Sequence, residues 1–130
     1  MAEPTDTPLA TKLGIRFGDV VALLGAPPGL ELDVPGVTVR RRASGRADVV
    51  VDFETRAARL DRRIDSLAPM VRPAGGLWVA WPKRSSGVDT DITDHMVRAL
   101  ALERGLVDNK VCAVDATWTA LRLVWRLERR

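Results

Sequence analysis

Asp48-Val49-Val50-Val51-Asp52-Phe53-Glu54-Thr55-Arg56-Ala57-Ala58-Arg59-Leu60-Asp61-Arg62-Arg63-Ile64-Asp65-Ser66-Leu67-Ala68-Pro69-Met70-Val71 decides the fold, because the hydrophobic period changes within it. Asp48–Phe53 is continuously apolar in its middle and β-branched there, the pattern of a strand buried on both faces. From Arg56 the spacing becomes helical. Ala57, Leu60, Ile64, Leu67, Ala68 and Val71 share one face, while Arg59, Asp61, Arg62, Arg63 and Asp65 take the other. Pro73 and Gly75-Gly76 read as the stop of this helix, and Leu77–Trp81 as the strand that follows. Strand, helix, strand in that order implies a parallel pair with a crossover.

Working outward, Asp19–Leu24 is a second apolar strand, ended by Gly25-Ala26-Pro27-Pro28-Gly29. Leu30–Val34 is a short crossover, and Val37–Arg41 alternates as a strand broken by Ser44-Gly45. Before them, Met1–Thr7 reads as a disordered tail, and Pro8–Leu13 as one helical turn. Downstream of the polar loop Pro82–Asp89, a helix is expected with Thr90 or Asp91 as N-cap. Ile92, Met96, Ala99 and Leu100 form its apolar face, and Gly105 ends it. Val107–Val114 and Ala120–Leu127 read as a closing hairpin around Asp115–Thr119. The expectation is a single α/β domain over residues 8–130, a Rossmann-like, mostly parallel sheet with a C-terminal antiparallel hairpin. That arrangement is similar to the methyltransferase variant of the fold. Only about 25 residues separate its first strand from its third, so one strand–helix unit of a full methyltransferase sheet is expected to be missing.

Composition narrows the chemistry. At 130 residues, 46% hydrophobic and 28% charged, the chain has the balance of one soluble domain. One cysteine and one histidine provide neither a disulfide nor a structural zinc site. Apolar runs such as Val20–Gly25 fall far short of the roughly 20 residues that cross a bilayer, and no leader precedes them, so a cytoplasmic protein without a membrane partner is expected. The net charge of +3 is carried by 17 arginines and only three lysines, Lys12, Lys83 and Lys110. Arginine in such excess reads as coding bias on a solvated surface, or as anion recognition by planar guanidinium groups. Distribution has to decide.

In open α/β sheets ligands bind beyond the carboxyl ends of the strands. Gly25–Gly29 stands where a cofactor-binding enzyme carries its glycine-rich turn, but Pro27 and Pro28 remove two N–H donors from it. No acid ends the next strand to hold ribose hydroxyls; Arg40, Arg41 and Arg42 are there, followed by Ser44 and Arg46. A tight turn is therefore favoured over a cradle at Gly25 and Gly29. The Arg40–Arg46 run reads as a basic patch at the upper edge, as a kinase site at Ser44, or as a solvated connection. No aromatic residue interleaves it, so nucleic acid is not the expected partner. The loop Trp81–Asp91 is the stronger candidate. Lys83 and Arg84 supply charge, Ser85 and Ser86 hydroxyls, and Gly87 flexibility at the start of a helix. His95 reads as a structural histidine and Cys112 as a small core residue, Asp52 as a lone carboxylate. The four tryptophans, Trp78, Trp81, Trp118 and Trp125, are expected to cover the ends and outer faces of the sheet.

Pro8–Ile15, Leu24-Gly25-Ala26-Pro27, Trp78–Lys83 with Ser85-Ser86-Gly87, Asp91-Ile92-Thr93 and Lys110–Asp115 with Thr117-Trp118 together resemble an uncharacterised, mainly actinobacterial domain-of-unknown-function family. The resemblance implies a small methyltransferase-like α/β protein with a Trp-Pro-Lys…Ser-Gly loop, and brings no established activity. The expected function is binding rather than catalysis: an anionic ligand or partner group on Lys83, Arg84, Ser85, Ser86 and Gly87, without a cofactor. The alternatives are a reduced methyltransferase using S-adenosylmethionine at Gly25 and Gly29, and an interaction module acting through a homodimer or partner interface at the hairpin.

Overall fold

The structure, a computed structural model, describes residues 8–32 and 34–129, and the tail reading at Met1–Thr7 lies outside them. In chain order the elements are α1 (Leu9–Lys12), β1 (Val20–Leu24), β2 (Thr38–Arg40), β3 (Ala47–Phe53) and α2 (Ala57–Leu67), then β4 (Val71–Pro82), α3 (Asp94–Leu102), β5 (Leu106–Ala113) and β6 (Trp118–Trp125). They build one six-stranded sheet in the order β2-β1-β3-β4-β6-β5. β1 to β4 pair in parallel, and β6 lies antiparallel between β4 and β5. This is the Rossmann-like sheet with a C-terminal antiparallel hairpin. Residues 25–37 join β1 to β2 and residues 41–46 join β2 to β3, and no helix forms among the described residues of either connection.

That brevity makes the two faces unequal. On one, Leu60, Ile64 and Leu67 of α2 and Val97 and Ala101 of α3 close over Val50, Val79, Leu121 and Leu123. On the other, the cover is the four-residue α1 and irregular chain: Leu13 and Ile15 pack on Val21, Val51 and Trp78, with Leu30 and Leu32 alongside. Trp78 is fully buried here, and its Nε1–H donates to the Leu13 carbonyl at 3.0 Å. It therefore corrects the expectation that all four tryptophans cover ends and outer faces. Trp118 is half-buried edge-on against Phe53, with ring centroids 5.1 Å apart.

Two local readings change. The helix does end before Pro73, but Pro73 and Gly75-Gly76 lie inside β4, not ahead of it. Pairing passes from Ala47↔Val71 directly to Val49↔Gly76, so the extra residues of β4 bulge away from the ladder, where a missing proline N–H costs nothing. A Cβ on Gly75 would collide with the Asp48 carbonyl oxygen, a backbone atom that cannot swing aside. Gly75→Ala should therefore destabilise the domain by about 1–3 kcal/mol, read from urea unfolding.

The N-cap of α3 is Thr93, whose Oγ1 accepts from the Met96 N–H; it is neither Thr90 nor Asp91. Those two are taken by α2. Thr90 donates to the Thr55 carbonyl, and Asp91 accepts the Ala57 N–H, which Arg56 leaves uncapped. The later start also rotates the apolar face of α3, so Val97 and Ala101 are buried while Ala99 is exposed.

Candidate ligand-binding site

The carboxyl ends of β1, β3 and β4 meet at one edge, and each sequence candidate there has a definite place. Gly25 turns the chain at φ +69, with Phe53 O 3.1 Å from where its Cβ would be. Leu30 N–H closes the turn onto the Pro27 carbonyl, and the chain then runs on to β2 without forming a helix among its described residues. Pro27 and Pro28 leave this turn two N–H donors short.

The Arg40–Arg46 run does not form one patch at this edge. Arg40 Nη1 folds back onto the carbonyls of Ser44 and Arg46. Arg41 pairs with Glu31 at 3.4 Å. Arg46 lines a shallow hollow at the far end of the sheet with Val71 and Trp125. Adjacency in sequence is undone by the turn.

The loop after β4 fares better. Lys83, Arg84 and Gly87 line an open cleft of about 890 Å³, whose floor includes Trp81, Thr119 and Leu121 of the sheet. Its other wall is the 88–94 segment leading into α3. Ser85 and Ser86 stay out of the lining. Ser85 is exposed, and Ser86 Oγ serves the turn itself, donating to the Lys83 carbonyl at 2.7 Å and accepting the Val88 N–H.

Charge in the cleft is decided by pairing. Three carboxylates line it, and each is engaged: Asp89 by Arg56, Asp91 by the Ala57 N–H, Asp94 by Arg98 and the His95 N–H. Among the described residues neither Lys83 nor Arg84 has an ion pair or a side-chain hydrogen bond.

The nucleophile inventory stays thin. His95 is exposed on α3, whereas Cys112 belongs to the core on the opposite face of the sheet, so the two form no dyad. Burial pushes the Cys112 thiol up, away from the reactive thiolate.

Sequence reading missed one site. Asp52 near the end of β3 and Glu54 just beyond it are both buried, at 0% and 2% exposure, and both approach Arg63. Arg63 of α2 lies 3.7 Å from Asp52 Oδ1 and 3.5 Å from Glu54 Oε2, and Arg59 3.2 Å from Glu54 Oε1. Among the described residues, both Asp52 oxygens and Glu54 Oε2 lack an ordinary donor. Burial first, then the hydrogen bond and charge of Glu54, push the Asp52 carboxyl up to about 8 despite Arg63 and Arg59. Burial and the neighbouring Glu54 thus favour the protonated form of Asp52. The Asp-x-Glu alternation and the Arg59/Arg63 spacing were the available signal.

No family model and no curated protein sequence matches the chain. Solved structures do resemble it. The Bacillus subtilis M1A22 tRNA methyltransferase TrmK aligns at a TM-score of 0.56 and 12% identity, over 92% of this chain and 65% of that one. The ribosomal protein L11 methylase of Lactobacillus delbrueckii subsp. bulgaricus gives 0.55 and 11%, over 83% and 70%. Magnesium protoporphyrin IX methyltransferase of Synechocystis PCC 6803, with bound SAH, gives 0.52 and 12% over 69% of this chain. The alignment spans about half, 52%, of that last enzyme's length. At such identities the likeness establishes architecture, and the chain has the Rossmann-like fold of these methyltransferases.

Proposed function

We propose that the cleft after β4 binds a small anionic ligand, its charged group on Lys83 and Arg84 and its apolar body against Val88 and Val111. The supporting observation is the state of the charges: among the described residues neither Lys83 nor Arg84 has an ion pair or a side-chain hydrogen bond, while Asp89 and Asp94 of the same cleft are ion-paired and Asp91 accepts the Ala57 N–H. Desolvated by the ligand, each charge-assisted contact contributes about 1.5–3 kcal/mol.

A thermal-shift screen with inorganic phosphate and nucleoside monophosphates tests this reading. The melting temperature should rise with at least one of them, and Lys83→Ala should weaken that ligand by roughly tenfold or more. No shift with any phosphate-bearing compound overturns it.

Methyl transfer is the second reading, favoured by the likeness to methyltransferases, one of them with bound SAH. The residues at the end of β1 argue against a competent cradle, since Pro27 and Pro28 lack N–H groups and no helix follows among the described residues. Calorimetric titration with S-adenosylmethionine and its homocysteine product decides: no binding at high micromolar concentration removes the transferase.

A further inference from the structure

The buried Asp52–Glu54 pair is joined to the cleft by continuous structure. Glu54 directly follows β3 and is itself buried, its N–H donating to the Ala80 carbonyl at 2.9 Å, and the next three residues carry the latch that fixes the cleft wall. Thr55 O accepts from Thr90, Arg56 pairs with Asp89, and the Ala57 N–H donates to Asp91. Asp89, Thr90 and Asp91 all line the cleft. Three successive residues thus clasp three successive residues, beginning one position beyond a buried carboxyl.

The groups facing the pair are few. α2 presents Arg59 and Arg63, the latter 26% exposed. β1 and β4 present apolar neighbours, since Leu24 and Val79 are the register partners of Asp52. With one proton between the carboxyls, the remaining negative charge is met by Arg63 at 3.5–3.7 Å. Without that proton, two buried carboxylates confront each other, and among the described residues neither Asp52 oxygen has a donor within hydrogen-bond range. Relief would come from Glu54 moving outward toward the more exposed Arg59, and a shift of its backbone would reach Thr55, Arg56 and Ala57 next along the chain.

We propose that the proton shared by Asp52 and Glu54 controls the cleft: while it is held, the 55–57 segment clasps the 89–91 wall, and its loss on alkalinisation loosens that clasp and weakens anion binding. The consequence for affinity rests on the ligand reading above; the loosening does not.

Two measurements keep these apart. The first needs no ligand: hydrogen exchange of the Ala57 amide, corrected for base catalysis, from about pH 6 to about pH 9. Protection should fall about tenfold in wild type across that range and stay level in Asp52→Asn. Equal pH dependence in the two proteins overturns the proposal. If Asp52→Asn does not fold, Glu54→Gln takes its place, and carbon NMR of the wild-type carboxyls is an independent test: neither carboxyl titrating between about pH 6 and about pH 9 also overturns it.

The second measurement is sulfate affinity by calorimetry, chosen because sulfate does not change charge in this range. It should fall several-fold with rising pH in wild type only. Sulfate failing to bind at any pH, with the exchange result as expected, removes the anion reading and with it the coupling to affinity, while the proton-controlled clasp stands.

Discussion

Replacing Trp78 with alanine is expected to destabilise the domain by about 3–5 kcal/mol, the upper range for a core truncation. Trp78 is fully buried in the middle of β4, on the face that has no long helix over it. Removing the indole loses its transfer free energy and leaves a cavity that the neighbours must collapse to fill. α1 has only four residues and no side-chain cap, so it is held by packing and not by helical propensity. The truncation also leaves the buried Leu13 carbonyl without its donor at 3.0 Å. Trp78→Phe keeps most of the volume and loses the hydrogen bond, and should cost about 1–2 kcal/mol. Urea unfolding at constant m-value reads both. A cost for alanine below about 1 kcal/mol would mean that the thin face contributes little to stability.

The parts of the fold that were legible in sequence are those set by hydrophobic period. Val49–Val51 and the Leu60/Ile64/Leu67 stripe could satisfy their burial only as strand and helix, and they do. Punctuation misled where the sheet overrode it. Pro73 and Gly75 look like terminators, yet the strand bulges around them because Asp48 O lies where any Cβ would be.

Caps misled for another reason. Thr90, Asp91 and Thr93 are all competent acceptors, and only the position of α2 shows that the first two serve Thr55 and Ala57. The candidate site divides in the same way. Lys83 and Arg84 line the cleft because loops after parallel strands converge at one edge, a rule of topology. Ser85 and Ser86 lie outside its lining because a 3-10 turn directs them to solvent or to its own backbone. The spacing of Asp52 and Glu54 was visible. Their burial was not, since it depends on α2 lying across the strand with Arg59 and Arg63 facing down.

That burial leads to the second large effect, on the stability of the whole domain as pH changes. In the folded protein Asp52 keeps its proton up to about 8; in the unfolded chain it releases it near the ordinary value of about 3.9. Between those values the folded state binds the extra proton. Stability must therefore fall as pH rises through the window, by at most about 1.4 kcal/mol per pH unit, and level off above it. Asp52→Asn presents a neutral amide at every pH and removes this slope. From about pH 5 to about pH 8 wild type should lose on the order of 2–4 kcal/mol relative to the variant, measured by urea unfolding at closely spaced pH values. Cys112 does not produce the same signal, since its thiol is pushed up from an ordinary value already at the alkaline end. Parallel curves would have a definite meaning. Asp52 would then be charged in both states, Arg63 would be its full partner, and Asp52→Asn would weaken the fold equally at every pH instead of relieving it above neutrality.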